Sequence, residues 1–126
     1  MPSLNFKKQF IGKIASGEKT QTIRAPRVRP IKVGDPLYLY AGMRTHACTK
    51  IMEAVCTYTT KVVIYTDLLV SVGGIILDEK RTSELARADG FSSVKEFLEF
   101  FQIAHGLPFE GDLIQWKPRK ADDAAA

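Results

Sequence analysis

Between Cys48 and Tyr65 the chain carries two β-branched-rich stretches, Cys48 to Thr59 and Lys61 to Tyr65, and no turn dipeptide separates Cys48 from Cys56. Valine, isoleucine and threonine at that density suit a pleated, half-buried surface far better than a helix. The centre of the sequence is therefore read as strands, and the fold must bury a sheet. At 126 residues there is room for one core and no second domain of ordinary size.

The flanking segments supply an α+β order. Phe6, Phe10, Ile11 and Ile14 recur at helical spacing, with Asn5 placed to cap the start and Gly17 to close the end. Thr20 to Ile23 alternates as a short strand, and Leu37 to Tyr40 follows the Gly34-Asp35-Pro36 turn as another. Pro26 and Pro30 keep residues 24–34 in a loop. Ile75 to Leu77 reads as a further strand and Thr82 to Ala88 as a short helix before Gly90. Ser93-Val94-Lys95-Glu96 is a capping box. Val94, Phe97, Leu98 and Phe101 then form an i, i+3, i+4, i+7 stripe, which is a core face rather than a ligand box. Asp112 to Trp116 is the last strand expected. Strands dominate, so a small mixed β-barrel flanked by helices is the architecture expected. A single domain over residues 1–117 would leave 118–126 as a flexible tail.

Several classes of function find no support. Leu68 to Leu77 is the most apolar region, but Ser71, Gly73 and Gly74 interrupt it and it is too short to span a membrane. No stretch reads as a signal peptide, so a cytoplasmic location is the default expectation. Cys48 and Cys56 on one extended strand would lie roughly 26 Å apart at about 3.3 Å per residue, too far for a disulfide. Adding His46 and His105 gives no metal-ligand spacing, so neither metal nor cofactor is expected. Gly12 to Thr20 looks like a phosphate-binding loop with Glu18 inserted before the lysine. That motif follows a strand and opens a helix, whereas here the order is reversed.

Charge is unevenly placed. Residues 1–61 carry eleven Lys/Arg against three Asp/Glu, a net +8, while residues 62–126 carry seven against eleven, a net −4. Arg24, Arg27, Arg29 and Lys32 make the densest run. Such a patch attracts phosphates by counterion release, although a solvated surface loop has the same composition.

The run Gly17-Glu18-Lys19-Thr20-Gln21-Thr22-Ile23-Arg24 resembles the signature of the ASCH domain family of the PUA-like superfamily. Tyr40-Ala41-Gly42-Met43-Arg44, Ala88-Asp89-Gly90-Phe91 and Gly111 to Trp116 follow in the order of its small bacterial and phage members. The resemblance implies a PUA-like barrel with a cleft for RNA or a modified pyrimidine nucleoside. Some small members resemble amidohydrolases acting on 4-acetylcytidine, and their lysine, threonine and acid fall on Lys19, Thr22 and Asp89. The acid in those enzymes is glutamate, so Asp89 is one methylene shorter. Other members resemble ribonucleases or RNA-binding modules, and a protein-interaction module is a further reading.

The chemistry has conditions. Threonine needs a neighbouring base to become a nucleophile, and lysine must be shifted down from about 10.4 to act as one. In a regular strand Lys19 and Thr22 point to opposite faces, unless the Gly17 turn re-aims the lysine. Arg24, Arg27, Arg29 and Arg44 are candidates to grip phosphates, and Tyr40 or Tyr38 to stack a base.

Overall fold

The computed structural model describes residues 2–119. Its elements are β1 (Ser3–Phe6), a single 3-10 turn (Lys8–Phe10), α1 (Ile11–Ser16), β2 (Gln21–Arg24), β3 (Pro36–Ala41), β4 (Thr49–Ile64), β5 (Val70–Val72), β6 (Ile75–Ile76), α2 (Glu79–Ala88), α3 (Val94–His105) and β7 (Phe109–Pro118). No helix among the described residues is long and apolar enough to cross a membrane.

β4 is the spine. The two central stretches expected from the sequence are one continuous strand, because Thr60 between them is a strand former and nothing breaks the chain. Ala54 and Val55 pair with β3 and β7 together, and Val62 to Ile64 pair with β5 and β7 together. So β3 and β5 share one edge of β4 in succession, and β7 takes the other. Register shifts at Leu39/Tyr40 and at Cys56/Tyr58 mark bulges, which let so long a strand bend between partners.

The seven strands form one mixed sheet that does not close, in place of the barrel expected. β1 lies parallel to β3 at one extreme, and the two-residue β6 ends the other branch. Beyond β7 lies β2, paired with β7 alone among the described residues. Without a pairing between those outer strands there is no ring of hydrogen bonds, and the helices cover the sheet instead.

The first helix is shorter than its periodicity implies. Phe6, Phe10 and Ile14 are buried as the pattern requires, but Ser3–Phe6 is recruited as a strand by the edge of β3. Asn5 is therefore not a cap; its Oδ1 accepts a hydrogen bond from the Met43 amide at 3.0 Å. Gly17 does end α1, in the left-handed conformation (φ 88°) that few other residues tolerate. β5 is an element the sequence reading lacked. Gly73 and Gly74, both at positive φ, turn it into β6, so the apolar region is a hairpin.

α3 forms as its capping box dictates. Ser93 Oγ accepts from the Glu96 amide at 3.2 Å, and Glu96 Oε2 accepts from the Ser92 amide at 3.0 Å. Its stripe presses Phe97 and Phe101 against Phe91 and Phe109, with ring centroids 5.1–5.7 Å apart. Burial of each such ring contributes about 1.5–3 kcal/mol. β7 is longer than expected at both ends, running through Pro118, and the Arg119 amide bonds Glu53. Residues 120–126 of the expected tail lie outside the described residues. Cys48 is exposed and Cys56 buried, both as free thiols.

Candidate functional site

Gly17 redirects the chain after α1, and two backbone bonds then fix the path of the next residues. The Lys19 amide bonds the Lys13 carbonyl at 2.9 Å, and the Thr20 amide bonds the Ala88 carbonyl at 3.1 Å. Lys19 thus precedes β2, is exempt from strand alternation, and reaches the C-terminal end of α2. Its Nζ donates to the Asp89 carbonyl at 2.5 Å and lies 3.6 Å from Asp89 Oδ1. The rings of Phe10 and Phe6 stand 4.8 and 5.5 Å from the ammonium. Gly90 makes this fit possible, since an added Cβ would come within 3.0 Å of both Lys19 Cδ and Phe10.

This lysine–aspartate pair is almost wholly buried: Lys19 is 2% exposed and Asp89 3%. Burial depresses Lys19 from 10.5 to about 8, against the attraction of Asp89. The same burial raises Asp89 from 3.8 to about 7, against the pull of Lys19 and hydrogen bonding from Gln21. Both shifts oppose ionisation, so desolvation outweighs the pair's own attraction. Asp89 Oδ1 has no hydrogen-bond partner. A buried acceptor left unmet costs about 1–3 kcal/mol, which a ligand donor would recover.

Above the pair opens a cleft of about 490 Å³ lined by Lys19, Thr22, Arg24, Arg27 and Asp89, with walls from Phe6, Phe10, Phe91 and Phe100. The lysine, threonine and acid singled out in the sequence therefore line one cavity. Thr22 is buried, and its Oγ1 accepts from Arg24 Nε at 3.2 Å, which leaves the hydroxyl proton free to be given away. Arg24 also donates to the Asn5 carbonyl at 2.5 Å, and its guanidinium sits 4.7 Å from the Phe6 ring centroid. Burial, reinforced by Arg27, lowers Arg24 to about 10.

Arg27 is exposed at the rim. Arg29 and Arg44 are exposed and do not line the cleft, and neither does half-buried Tyr40. The aromatic walls come instead from phenylalanines that periodicity assigns to the core, with His105 at the mouth, its ring tilted against Phe109 at 4.5 Å. Gln21 is the buried polar residue the sequence reading passed over: it is 1% exposed and hydrogen-bonds Gln115. Its pairing with Gln115 is a tertiary contact, so nothing local in the sequence marked it. No cluster of His, Cys, Asp and Glu suited to a metal occurs among the described residues.

This fold is similar to that of solved ASCH-domain structures. The chain is similar over 96% of its length to the ASCH protein from Zymomonas mobilis, at 15% identity and TM-score 0.56, covering 73% of that chain. Two single-substitution mutants of the same protein align at TM-score 0.55, with 14% and 15% identity, the same 96% of this chain, and 76% and 74% of theirs. No family model and no curated protein matches the sequence.

Proposed function

We propose that this protein is an ASCH-family member whose cleft takes a modified pyrimidine nucleoside and hydrolyses its acylated amine, 4-acetylcytidine being the type substrate. The observation that carries the reading is Asp89 Oδ1 on the cleft floor, which accepts no hydrogen bond although Lys19 Nζ stands 3.6 Å away. The base of 4-acetylcytidine has one N–H, that of the scissile amide, and it is the donor this acceptor lacks. The phenylalanine walls suit the flat faces of the ring.

The groups present can then divide the work. Thr22 Oγ attacks the acetyl carbonyl while its proton passes to the neutral amine of Lys19, whose lowered pKa keeps part of it unprotonated near neutral pH. That proton goes on to the departing amine of cytidine, and water releases acetate from the threonine ester. Asp89 holds the amide N–H and steadies the lysine when it is charged. Arg24, bonded to Thr22 Oγ1, favours the developing alkoxide.

The test is turnover of 4-acetylcytidine followed by chromatography. Lys19→Ala should lose about a hundredfold or more, the usual contribution of an activating base. Asp89→Glu adds the missing methylene and should close the 3.6 Å gap to the ammonium, speeding the reaction. If neither parent nor Asp89→Glu releases cytidine at high enzyme concentration, hydrolysis is abandoned.

A second reading, a binding module for single-stranded RNA, is favoured by the exposed Arg27 at the rim and by Lys7, whose Nζ lies 5.0 Å from the half-buried Phe100 ring. Cations beside aromatic faces are the means by which such modules hold backbone and bases together.

A further inference from the structure

The loop between β2 and β3 offers more than the cleft uses. Its tip reads Pro26-Arg27-Val28-Arg29-Pro30, and Val28 is fully exposed. The base of the loop is anchored. Ile31 is buried, the Lys32 amide bonds Asp35 Oδ2 at 2.9 Å, and the Gly34 amide bonds the Cys56 carbonyl at 2.8 Å. Two prolines of fixed φ bracket the tip, so it has little conformational freedom left to lose on docking. An apolar side chain held out between two cations is the complement of an apolar hollow with an acidic rim. The chain carries such a hollow between the β4–β5 turn and the start of α2. It measures about 300 Å³ and is lined by Leu68, Leu69, Leu77 and Val94, with Asp78 and Glu79 as the charged residues of its wall. Lys80 and Arg81 follow on α2 but do not line it. Leu68 and Leu69 are 47% and 46% exposed. Leu68 also stands at φ 72°, a left-handed backbone that leucine rarely adopts. Its amide bonds the Tyr65 carbonyl at 2.9 Å, and the Tyr65 amide bonds the Leu69 carbonyl at 2.9 Å, which holds the turn in place. Strain kept at an exposed apolar residue is a common mark of a functional surface.

We propose that this hollow receives the 24–34 loop of a second copy of the chain, with Val28 in the apolar hollow and Arg29 set against Asp78 and Glu79. Charge complementarity favours that occupant. The loop carries Arg24, Arg27, Arg29 and Lys32 and no acid before Asp35. It belongs to the half of the sequence with net charge +8, and the hollow to the half with −4. Within one molecule the two surfaces do not meet, since Val28 is fully exposed. The contact joins unlike surfaces, so each pair still offers one free loop and one free hollow, and association continues head to tail. It needs nothing from Lys19, Thr22 or Asp89. A single loop tip buries less than the roughly 800 Å² per partner of a stable complex, so the contact forms at high protein concentration and low salt.

Sedimentation velocity over a series of protein concentrations, at low and at high salt, measures the association. The average mass of the parent should rise above that of the monomer with concentration, and should fall back at high salt as the rim charges are screened. Val28→Asp removes the plug at an exposed position. Leu68→Gly empties the hollow and suits the left-handed backbone, so both variants should fold as the parent does. Each alone should sediment as a monomer at every concentration. Mixed in equal amounts, they should form a species of twice the monomer mass and nothing larger, because one keeps the hollow and the other keeps the loop. A parent that stays monomeric throughout overturns the proposal, and leaves the hollow to a foreign protein and the loop to RNA. Association that survives in either variant overturns it too, as does a mixture that stays monomeric. Should Leu68→Gly not fold, Val28→Asp decides alone.

Discussion

At the scale of single residues, the Lys19–Asp89 pair sets site and stability against each other. Between pH 3.8 and about 7 the folded chain keeps a proton on Asp89 that the unfolded chain has lost, so this group's contribution to stability falls as pH rises. Between about 8 and 10.5 the unfolded chain holds a proton that folded Lys19 has given up, and stability rises with pH. The pair is thus least favourable in the interval where both groups are charged. Replacing it by Lys19→Met with Asp89→Asn should stabilise the fold at pH 7.5 by about 1–4 kcal/mol, and by less at pH 5. Thermal melts of parent and double variant at both pH values check this, and a less stable variant at pH 7.5 would refute the dominance of desolvation. Lys19, Thr22 and Asp89 could be picked from the sequence because a family motif carries them. Their burial could not, since it depends on Phe6, Phe10 and Gly90 closing over the ammonium. Arg29, Arg44 and Tyr40 illustrate the converse: a basic or aromatic residue in a loop or strand carries no signal of which way it faces.

At the scale of elements, two glycines should respond to alanine with opposite signs. Gly111 lies where β7 passes β2, and a Cβ there would stand 2.6 Å from the Arg24 carbonyl oxygen and 2.7 Å from Phe109 Cζ. Backbone cannot yield cheaply, so Gly111→Ala should lose about 1–3 kcal/mol. Gly12 is exposed in α1 with nothing within 4 Å of an added Cβ. There Gly12→Ala should gain about 0.5–1 kcal/mol from helix propensity alone. Denaturant midpoints of the two variants decide both. α3 and the C-terminus of α1 were legible because caps are local chemistry, written within four residues of sequence. β1 was not: a four-residue strand that pairs in parallel with β3 is a tertiary decision, and the apolar spacing around Phe6 suited a helix equally well. β5 was hidden by its length, and the break expected within β4 had no turn residue to mark it.

At the scale of the whole molecule, the surplus of positive charge in residues 1–61 meets the cleft at Arg24 and Arg27. RNA affinity should therefore weaken steeply with salt. Arg27→Ala should flatten the dependence by about one unit in log–log form, since one phosphate would no longer be neutralised, with a smaller change for Arg29→Ala. Fluorescence anisotropy across a salt series measures the slopes. An unaltered slope in Arg27→Ala means that the rim holds no phosphate, and no binding at low salt would remove the RNA reading. The sheet was foreseeable from its β-branched runs, but its closure was not. Closure depends on whether the outermost strands find each other, and no single segment encodes that.

The pairing of β2 has a bearing on time. The strand that carries Thr22 and Arg24 finds its ladder only in β7, with Gln21 and Gln115 separated by 94 residues. On a ribosome adding roughly 5–20 residues per second, the segment waits several seconds before its partner is made. Until then β2 lacks its partner strand, and an interrupted chain carries Thr22 and Arg24 without the ladder that sets them in the cleft. The cleft is complete only once synthesis has passed β7.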